Sequence, residues 1–327
     1  MISLIGLGLN LAHITNEAIE LARSCDELFL DSYTSPLPFS RDSLVDLLGK
    51  DVNLVGREEL ESDYLIDIGM ERKIGVLTMG DPLTATTHSS LLSRAMGKRI
   101  EVKYIPGISI ITVASSLLGL HHYKFGRIVT IPHPSKGRVE SPYQQMAENY
   151  PLHTLILLDS DPVLSAEEAI SCLSGIERSE GYRVFDPDRT ICVISRACLD
   201  DEEIWVGSIK KVNRKFKTPG VLALPGELHF SEEENLSRLA PGKLNFSVKQ
   251  IKNRVESRVL DRYISITENA LGELEGIKLT ETEEKYLETG RNYYKDGLYF
   301  KNKGDYVRAY GAINYGHAFL DAIKINR

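Results

Sequence analysis

The sequence predicts an α/β protein: an open, mostly parallel sheet domain, a second domain with a mixed sheet, and then an all-helical module. Three observations lead there. Apolar, β-branched runs alternate with helical patterns over the first 120 residues, as in open parallel sheets covered on both sides. From about Phe125 five more strand-like runs follow, with only two helical stretches between them. Residues 246–327 contain no strand-like run and no proline, and they read as three amphipathic helices. The domains are therefore placed at 1–122, 123–242 and 243–327.

The first-domain strands are "MISLI", "ELFLDS", "DVNLV", "KIGVLTM" and "RIEVKYI". The first helix is expected from Thr15 to Cys25, with Ala18, Leu21, Ala22 and Cys25 on one face. Thr15 suits its N-cap, and Glu17 suits the positive end of its dipole. In the second domain the strands are "RIVTI", "HTLILLD", "RTICVIS", "EIWVGSI" and "GVLALPG". The short acidic loop between the third and fourth of these predicts an antiparallel hairpin. In the last helix Val307, Tyr310, Ile313, His317 and Leu320 recur at helical spacing, after Gly304-Asp305.

Composition narrows the class of function. The chain has 327 residues, 42% hydrophobic and 26% charged, and a net charge of -7, which advertises neither nucleic acid nor an anionic membrane as partner. No basic stretch followed by a long apolar core opens the chain, and its apolar runs are strand-length, so neither leader nor membrane span is expected. Residues 243–327 carry 15 basic and 12 acidic side chains against 24 and 34 in the remainder, which marks the tail as a separate module. Cys25, Cys172, Cys192 and Cys198 form no C-x-x-C pair and are expected in helix-like or strand-like stretches, as small buried side chains in a reducing cytoplasm. The doublet His121-His122 is expected to point to opposite sides of an extended chain, so no metal site is predicted.

Three glycine-bearing turns carry the chemistry. The first, Gly6-Leu7-Gly8-Leu9-Asn10-Leu11, has leucine where a dinucleotide fingerprint requires its third glycine. Asp31 does end the second strand, but it alone does not rescue that reading. The second turn is Gly80-Asp81-Pro82-Leu83, at the carboxyl end of an apolar strand, the edge where open α/β sheets bind ligands. The Asp81 carboxylate either accepts from a ligand hydroxyl or ammonium or bonds its own turn. The third turn is Pro106-Gly107, ahead of a helix whose first residues include Ser109 and Ile110. No lysine of Walker type and no arginine follows these glycines directly. The pocket is expected to be composite and polar, suited to a ligand with ribose, base and a zwitterionic tail, with Gly6 and Gly8 letting main chain lie against it.

These strings carry a resemblance. "LIGLGL", "DSYTS" (31–35), "GDPLTATTH" (80–88), "GLHHYKFG" (119–126) and "HTLILLD" (153–159) occur in the order and spacing of the diphthine synthase family. That family belongs to the tetrapyrrole-methylase-like S-adenosylmethionine-dependent methyltransferases, and the resemblance spans roughly residues 1–240. It implies two α/β domains with the methyl donor folded into the cleft between them, and a homodimer. Carried over position by position, it implies donor contacts from Leu9, Asp81, Thr84, Ser109, Ile110, Leu158 and Ala197. The last implied position, a histidine in relatives, is Gly220 here, which implies a main-chain contact or a changed adenine pocket. The resemblance also implies no metal. It names no catalytic residue, and Asp81 is expected to hold the donor.

The implied reaction is methyl transfer to the amine of a 3-carboxy-3-aminopropyl group on a histidine of translation elongation factor 2, to the trimethyl state in archaeal members. An acidic enzyme docking on a large protein needs exposed loops near its cleft, and "IPHPSKGRVESPYQQ" (131–145), with Lys136 and Arg138, is such a loop. The tail resembles a small archaeal helical domain of unknown function and looks like one tetratricopeptide-type helix pair, with Tyr293 and Phe300 on one helix and Ala309 and Tyr310 on the next. An accessory or partner-binding role is expected of it. Two other functions fit parts of the pattern: a precorrin-type tetrapyrrole methyltransferase of the same superfamily, and a non-catalytic nucleotide-binding regulator.

Overall fold

The computed structural model describes residues 1–137, 140–244, 246 and 254–325. The chain divides into two compact units, Met1–Ile251 and Lys252–Arg327.

The first unit holds both sheets. Strands β1 (Ile2–Gly6), β2 (Glu27–Asp31), β3 (Val52–Val55), β4 (Ile74–Thr78) and β5 (Val102–Ile105) form an all-parallel sheet in the order β3-β2-β4-β1-β5. Its helices are α1 (Asn16–Ser24), α2 (Arg41–Leu48), α3 (Arg57–Glu61), α4 (Tyr64–Glu71), α5 (His88–Gly97) and α6 (Ile110–Leu118). Side chains alternate between two buried faces. Ile5, Leu28, Leu30 and Leu77 pack with Ala18, Ala22 and Leu44, while Leu4, Phe29 and Val76 pack with Leu65 and Leu91. Burial on both faces is why these strands read as continuous apolar runs. Thr15 caps α1 as expected, its hydroxyl accepting from the Ala18 amide.

The connection leaving β1 covers one face and that leaving β4 covers the other, although the two strands are neighbours. Their carboxyl ends therefore open between diverging helices, the place where such sheets bind ligands.

The second sheet comprises β6 (Val129–Ile131), β7 (Thr154–Leu158), β8 (Thr190–Ser195), β9 (Glu203–Ser208) and β10 (Gly220–Leu224), in the order β6-β7-β10-β8-β9. Only β6 and β7 run parallel, and β8–β9 is the expected antiparallel hairpin. Helices α7 (Glu140–Asn149), α8 (Ala166–Glu180) and α9 (Phe230–Leu239) complete it. One face packs Ile156, Val193 and Leu222 against Leu173 and Phe185. The other packs Leu155, Ile194 and Ala223 against Ala114 and Leu118 of α6, so an apolar helix of the first domain is buried on the second sheet.

The segment joining the two sheets is fastened by one buried acid. Glu232 of α9 accepts from the amides of His121 (2.7 Å) and His229 (2.8 Å), from Lys124 Nζ (2.5 Å) and from His153 Nε2 (2.9 Å). His121 and His122 are not in an extended strand: they enter a 3-10 turn at His122–Lys124. Their rings have separate partners all the same, the Tyr123 hydroxyl for His121 and the Ser115 hydroxyl for His122. The four cysteines are free thiols, but only Cys25 and Cys192 are buried; Cys172 and Cys198 are partly exposed, Cys25 caps the end of α1, and Cys198 sits in a turn at φ +63° rather than in a regular element.

The second unit contains α10 (Arg254–Glu273), α11 (Glu281–Asn302) and α12 (Tyr306–Ile325). Helix α12 buries Ala309, Ile313, Gly316, Leu320 and Ile323. Val307, placed on that face by the sequence pattern, is 84% exposed. Six residues from Ile313 is about a third of a turn out of phase at 3.6 residues per turn, so the stripe starts at Ala309 instead. Among the described residues no helix is long and apolar enough to cross a membrane.

Candidate functional site

The three turns after β1, β4 and β5 meet at the carboxyl edge of the parallel sheet. Gly8 and Gly80 exchange main-chain hydrogen bonds, at 3.2 and 2.8 Å. Gly6 lies against Gly107 so closely that a Cβ on Gly6 would sit 2.4 Å from the Gly107 nitrogen, and one on Gly107 would sit 2.0 Å from the Gly80 carbonyl oxygen. Gly8 turns at φ +69°, and a Cβ there would meet the His13 side chain at 2.4 Å. This corrects the expectation that Gly6 and Gly8 exist to admit a ligand. Neither lines the cavity described below; they let three backbone turns pack on one another.

Asp81 ties the same turns together. Its Oδ1 accepts from the Leu83 amide and the Thr84 hydroxyl, both at 2.9 Å. Its Oδ2 accepts from the Tyr104 hydroxyl at 2.6 Å and the Gly107 amide at 3.2 Å. Burial works against the charge, but these four donors, Tyr104 foremost, hold the carboxyl below the usual carboxylate range. Burial and the adjacent carboxylate push the Tyr104 phenol up to about 12. Of the two roles open from sequence, the turn-bonding one is filled by the protein itself: Asp81 clamps the second turn to the third.

Between the sheets lies a cavity of about 510 Å³, inside the span of roughly 300–1,000 Å³ usual for small-molecule sites. All eight positions carried over from the sequence line it: Leu9, Asp81, Thr84, Ser109, Ile110, Leu158, Ala197 and Gly220. They come from both sheets, and Gly220 contributes main chain at the start of β10, beside Ser195 of β8. The loop after β2 adds Tyr33, Thr34 and Ser35, and the end of β7 adds Asp159 and Ser160. Sequence reasoning did not assign these five to the site, although "DSYTS" was among its motifs.

Among the described residues, two hydrogen bonds cross the cleft. Asn10 Nδ2 donates to the Cys198 carbonyl at 2.5 Å, and Ser160 Oγ donates to the Tyr33 carbonyl at 2.8 Å. A buried pair supports the wall behind Tyr33. Asp31 Oδ1 accepts from the Tyr33 and Thr34 amides, Oδ2 faces His88 Nε2 at 3.2 Å, and His88 Nδ1 donates to the Pro82 carbonyl at 2.9 Å. Burial opposes ionisation of Asp31, yet His88 and Thr34 hold its carboxyl below the ordinary range. Asp31 is thus a loop anchor, and it does not line the cavity.

The loop expected over 131–145 is shorter than that: Ile131 is buried at the end of β6, and residues 140–145 belong to α7 with Tyr143 buried. Lys136, in what remains of it, bonds both oxygens of Asp159. Arg138, the other cation expected there, lies outside the described residues.

Comparison with known proteins shows the family and the fold. Residues 1–213 match the family described as Tetrapyrrole (Corrin/Porphyrin) Methylases, and residues 262–327 match a family described as a protein of unknown function (DUF357). The first match, with the paired sheets, makes the chain an S-adenosylmethionine-dependent methyltransferase of that class. The diphthine synthase of Sulfurisphaera tokodaii is 35% identical over 73% of this chain and 98% of its own length. That of Methanosarcina mazei is 35% identical over 74% and 97%. A crystal structure of a diphthine synthase superposes with a TM-score of 0.67 at 29% identity, covering 73% of this chain and 96% of that one. The chain belongs to the diphthine synthase family.

Proposed function

We propose that this methyltransferase acts on the amino group of 3-carboxy-3-aminopropyl-histidine in translation elongation factor 2, carrying it to the trimethyl state in diphthamide biosynthesis. S-adenosylmethionine is the consumed methyl donor, and the cavity between the sheets is its site. The observation carrying this reading is the convergence of eight positions, spread from Leu9 to Gly220, on that one cavity. Its donor set fits such a ligand: threonine and serine hydroxyls for polar groups, and Leu9, Ile110, Leu158 and Val221 for an apolar ring face.

The chemistry asks little of the protein beyond position. The acceptor nitrogen's lone pair forms the bond to the methyl carbon, and the carbon–sulfur pair stays on sulfur as the donor becomes a neutral thioether. Each attack needs an unprotonated amine, so a proton leaves to water beforehand. The walls align nucleophile and methyl group and exclude competing water. No residue is assigned as a base. Leu9, Ser109, Ile110, Leu158, Ala197 and main chain at Gly220 would contact the donor, with Asp81 and Thr84 shaping its bed. A cytoplasmic homodimer, with residues 243–327 as an accessory helical domain, completes the reading.

The test is incubation with labelled donor and the cognate elongation factor bearing the unmethylated side chain. Label on that histidine is the expected outcome. Label on a tetrapyrrole and none on the factor would transfer the assignment to the precorrin-type branch.

A further inference from the structure

The acceptor in that reading carries an amine and a carboxylate on the same carbon. It has to be held so that the amine faces the cavity. Among the described residues lining the cavity, the only charged side chains are Asp81 and Asp159. Asp81 is taken up by its four internal donors, which leaves the second-domain wall.

Asp159 follows β7 and is held in place from several sides. Its Oδ2 accepts from the His133 amide at 2.8 Å and its Oδ1 from the Asp161 amide at 3.2 Å. Lys136 Nζ stands 2.8 Å from Oδ2 and 3.0 Å from Oδ1. The Asp159 side chain is 12% exposed and that of Lys136 is 38% exposed. A carboxylate fixed on the cavity wall therefore has a cation beside it on a flexible stem, part of it in water.

We propose that Asp159 and Lys136 are the recognition pair for the acceptor, Asp159 facing its amine and Lys136 its carboxylate. This rests on the reading given under Proposed function and names the residues that choose its substrate class. Opposite charges one carbon apart on the acceptor meet their complement: Asp159 on the cavity wall, and the Lys136 ammonium 2.8 Å from it, beside the lining rather than in it. Charge-assisted hydrogen bonds of this kind fix orientation as well as affinity. Lys136 can swing from Asp159 to an arriving carboxylate, because its ammonium is a mobile point charge. Asp159 in turn faces the acceptor's ammonium as it binds, accepts an N–H of the neutral amine once its proton has left to water, and faces the methylated ammonium after transfer. Burial opposes its charge, but Lys136 and the His133 and Asp161 amides hold its carboxyl low, so it acts as an electrostatic partner and stores no proton. Both residues are positioning and specificity groups; neither is asked to do covalent chemistry.

The test uses the full chain, with Lys136→Met, Lys136→Arg and Asp159→Asn. Calorimetry with S-adenosylhomocysteine reads the donor site, and steady-state kinetics on the elongation factor reads the acceptor. Losing one charge-assisted contact should raise the acceptor KM of Lys136→Met about tenfold or more. Its S-adenosylhomocysteine affinity should stay within about twofold of wild type, and Lys136→Arg should recover most of the loss. Lys136 is partly solvated, so a thermal melt of Lys136→Met should match wild type even if Asp159→Asn fails to fold. An unchanged acceptor KM in Lys136→Met overturns the proposal, and so does a parallel loss of S-adenosylhomocysteine binding, which would assign the pair to the donor. If the wild-type chain places no label on the factor, the functional reading fails first and visibly, in the control arm.

Discussion

His88 Nε2 lies 3.2 Å from Asp31 Oδ2, and both side chains are sealed from solvent. The contact joins the loop after β2 to the loop after β4, two walls of the same cavity. It does so from behind, without touching the space itself. Replacing His88 with Phe leaves the Asp31 carboxylate buried and short of a partner. Removing one member of a buried pair costs about 3–5 kcal/mol. Denaturant unfolding of His88→Phe should show a loss of that size, with weakened S-adenosylhomocysteine binding as the Tyr33–Ser35 loop loosens. A loss under about 1 kcal/mol would mean that the two loops hold without the pair.

Leu9 lines the cavity, while its neighbours Gly6 and Gly8 do not. It is partly exposed, so Leu9→Arg can extend its side chain into the cavity without disturbing the core. The expected result is an unchanged melting temperature and no measurable S-adenosylhomocysteine binding by calorimetry. Retained binding would show that the first turn lies outside the donor's footprint.

Gly107 has no room for a methyl group, because its Cβ would sit 2.0 Å from the Gly80 carbonyl oxygen and 3.0 Å from Gly6 backbone. Both obstacles are main chain and cannot rotate away. Gly107→Ala should therefore cost about 1–3 kcal/mol, at the upper end of overpacking effects. Because the strain falls on all three turns, binding should weaken together with stability. A melting temperature equal to wild type would contradict the close-packed junction.

The Glu232 network predicts acid sensitivity. Burial opposes the charge, but the His229 and His121 amides with Lys124 and His153 bring Glu232 down to about 2 in the folded chain. A carboxyl depressed on folding contributes stability above its unfolded pKa, here near 4.5. That contribution is lost as pH falls from there towards 2. His153 acts in the same direction for a different reason. Burial lowers its pKa below 6.5 despite Glu232, so the unfolded chain binds the proton first and stability already declines as pH drops below 6.5. Unfolding free energy measured by denaturant from pH 7 to 4 should fall, and Glu232→Gln should be destabilised at pH 7. In Glu232→Gln the slope below pH 4.5 should flatten. An unchanged slope in that variant would remove Glu232 as the cause.

Much of the fold was legible because its signals are local. Continuous apolar runs come from strands buried on both faces, and the acidic loop before "EIWVGSI" marked a true hairpin. Thr15 capped its helix because a hydroxyl one residue ahead of the first turn meets an unpaired amide. The phase of α12 was harder to read. Val307 is apolar and three residues ahead of Tyr310, but it stands about a third of a turn out of phase with Ile313, and packing against neighbouring helices selected Ala309 in its place.

For the site, the strings that resemble the diphthine synthase family already picked out eight positions that line one cavity. They left open what each residue does there. Asp81 was free to bind a ligand or its own turn, and only the arrival of Tyr104 and Gly107 from 23 and 26 residues away filled its second oxygen. Likewise, the glycines of the first turn serve the packing of Gly6 on Gly107 rather than an incoming ligand. Asp159 and Lys136 became a candidate pair only when the end of β7 met the loop after β6. Residue type and spacing record what a segment can do locally. Which of those capacities is used depends on contacts across long stretches of chain, and these exist only in the folded protein.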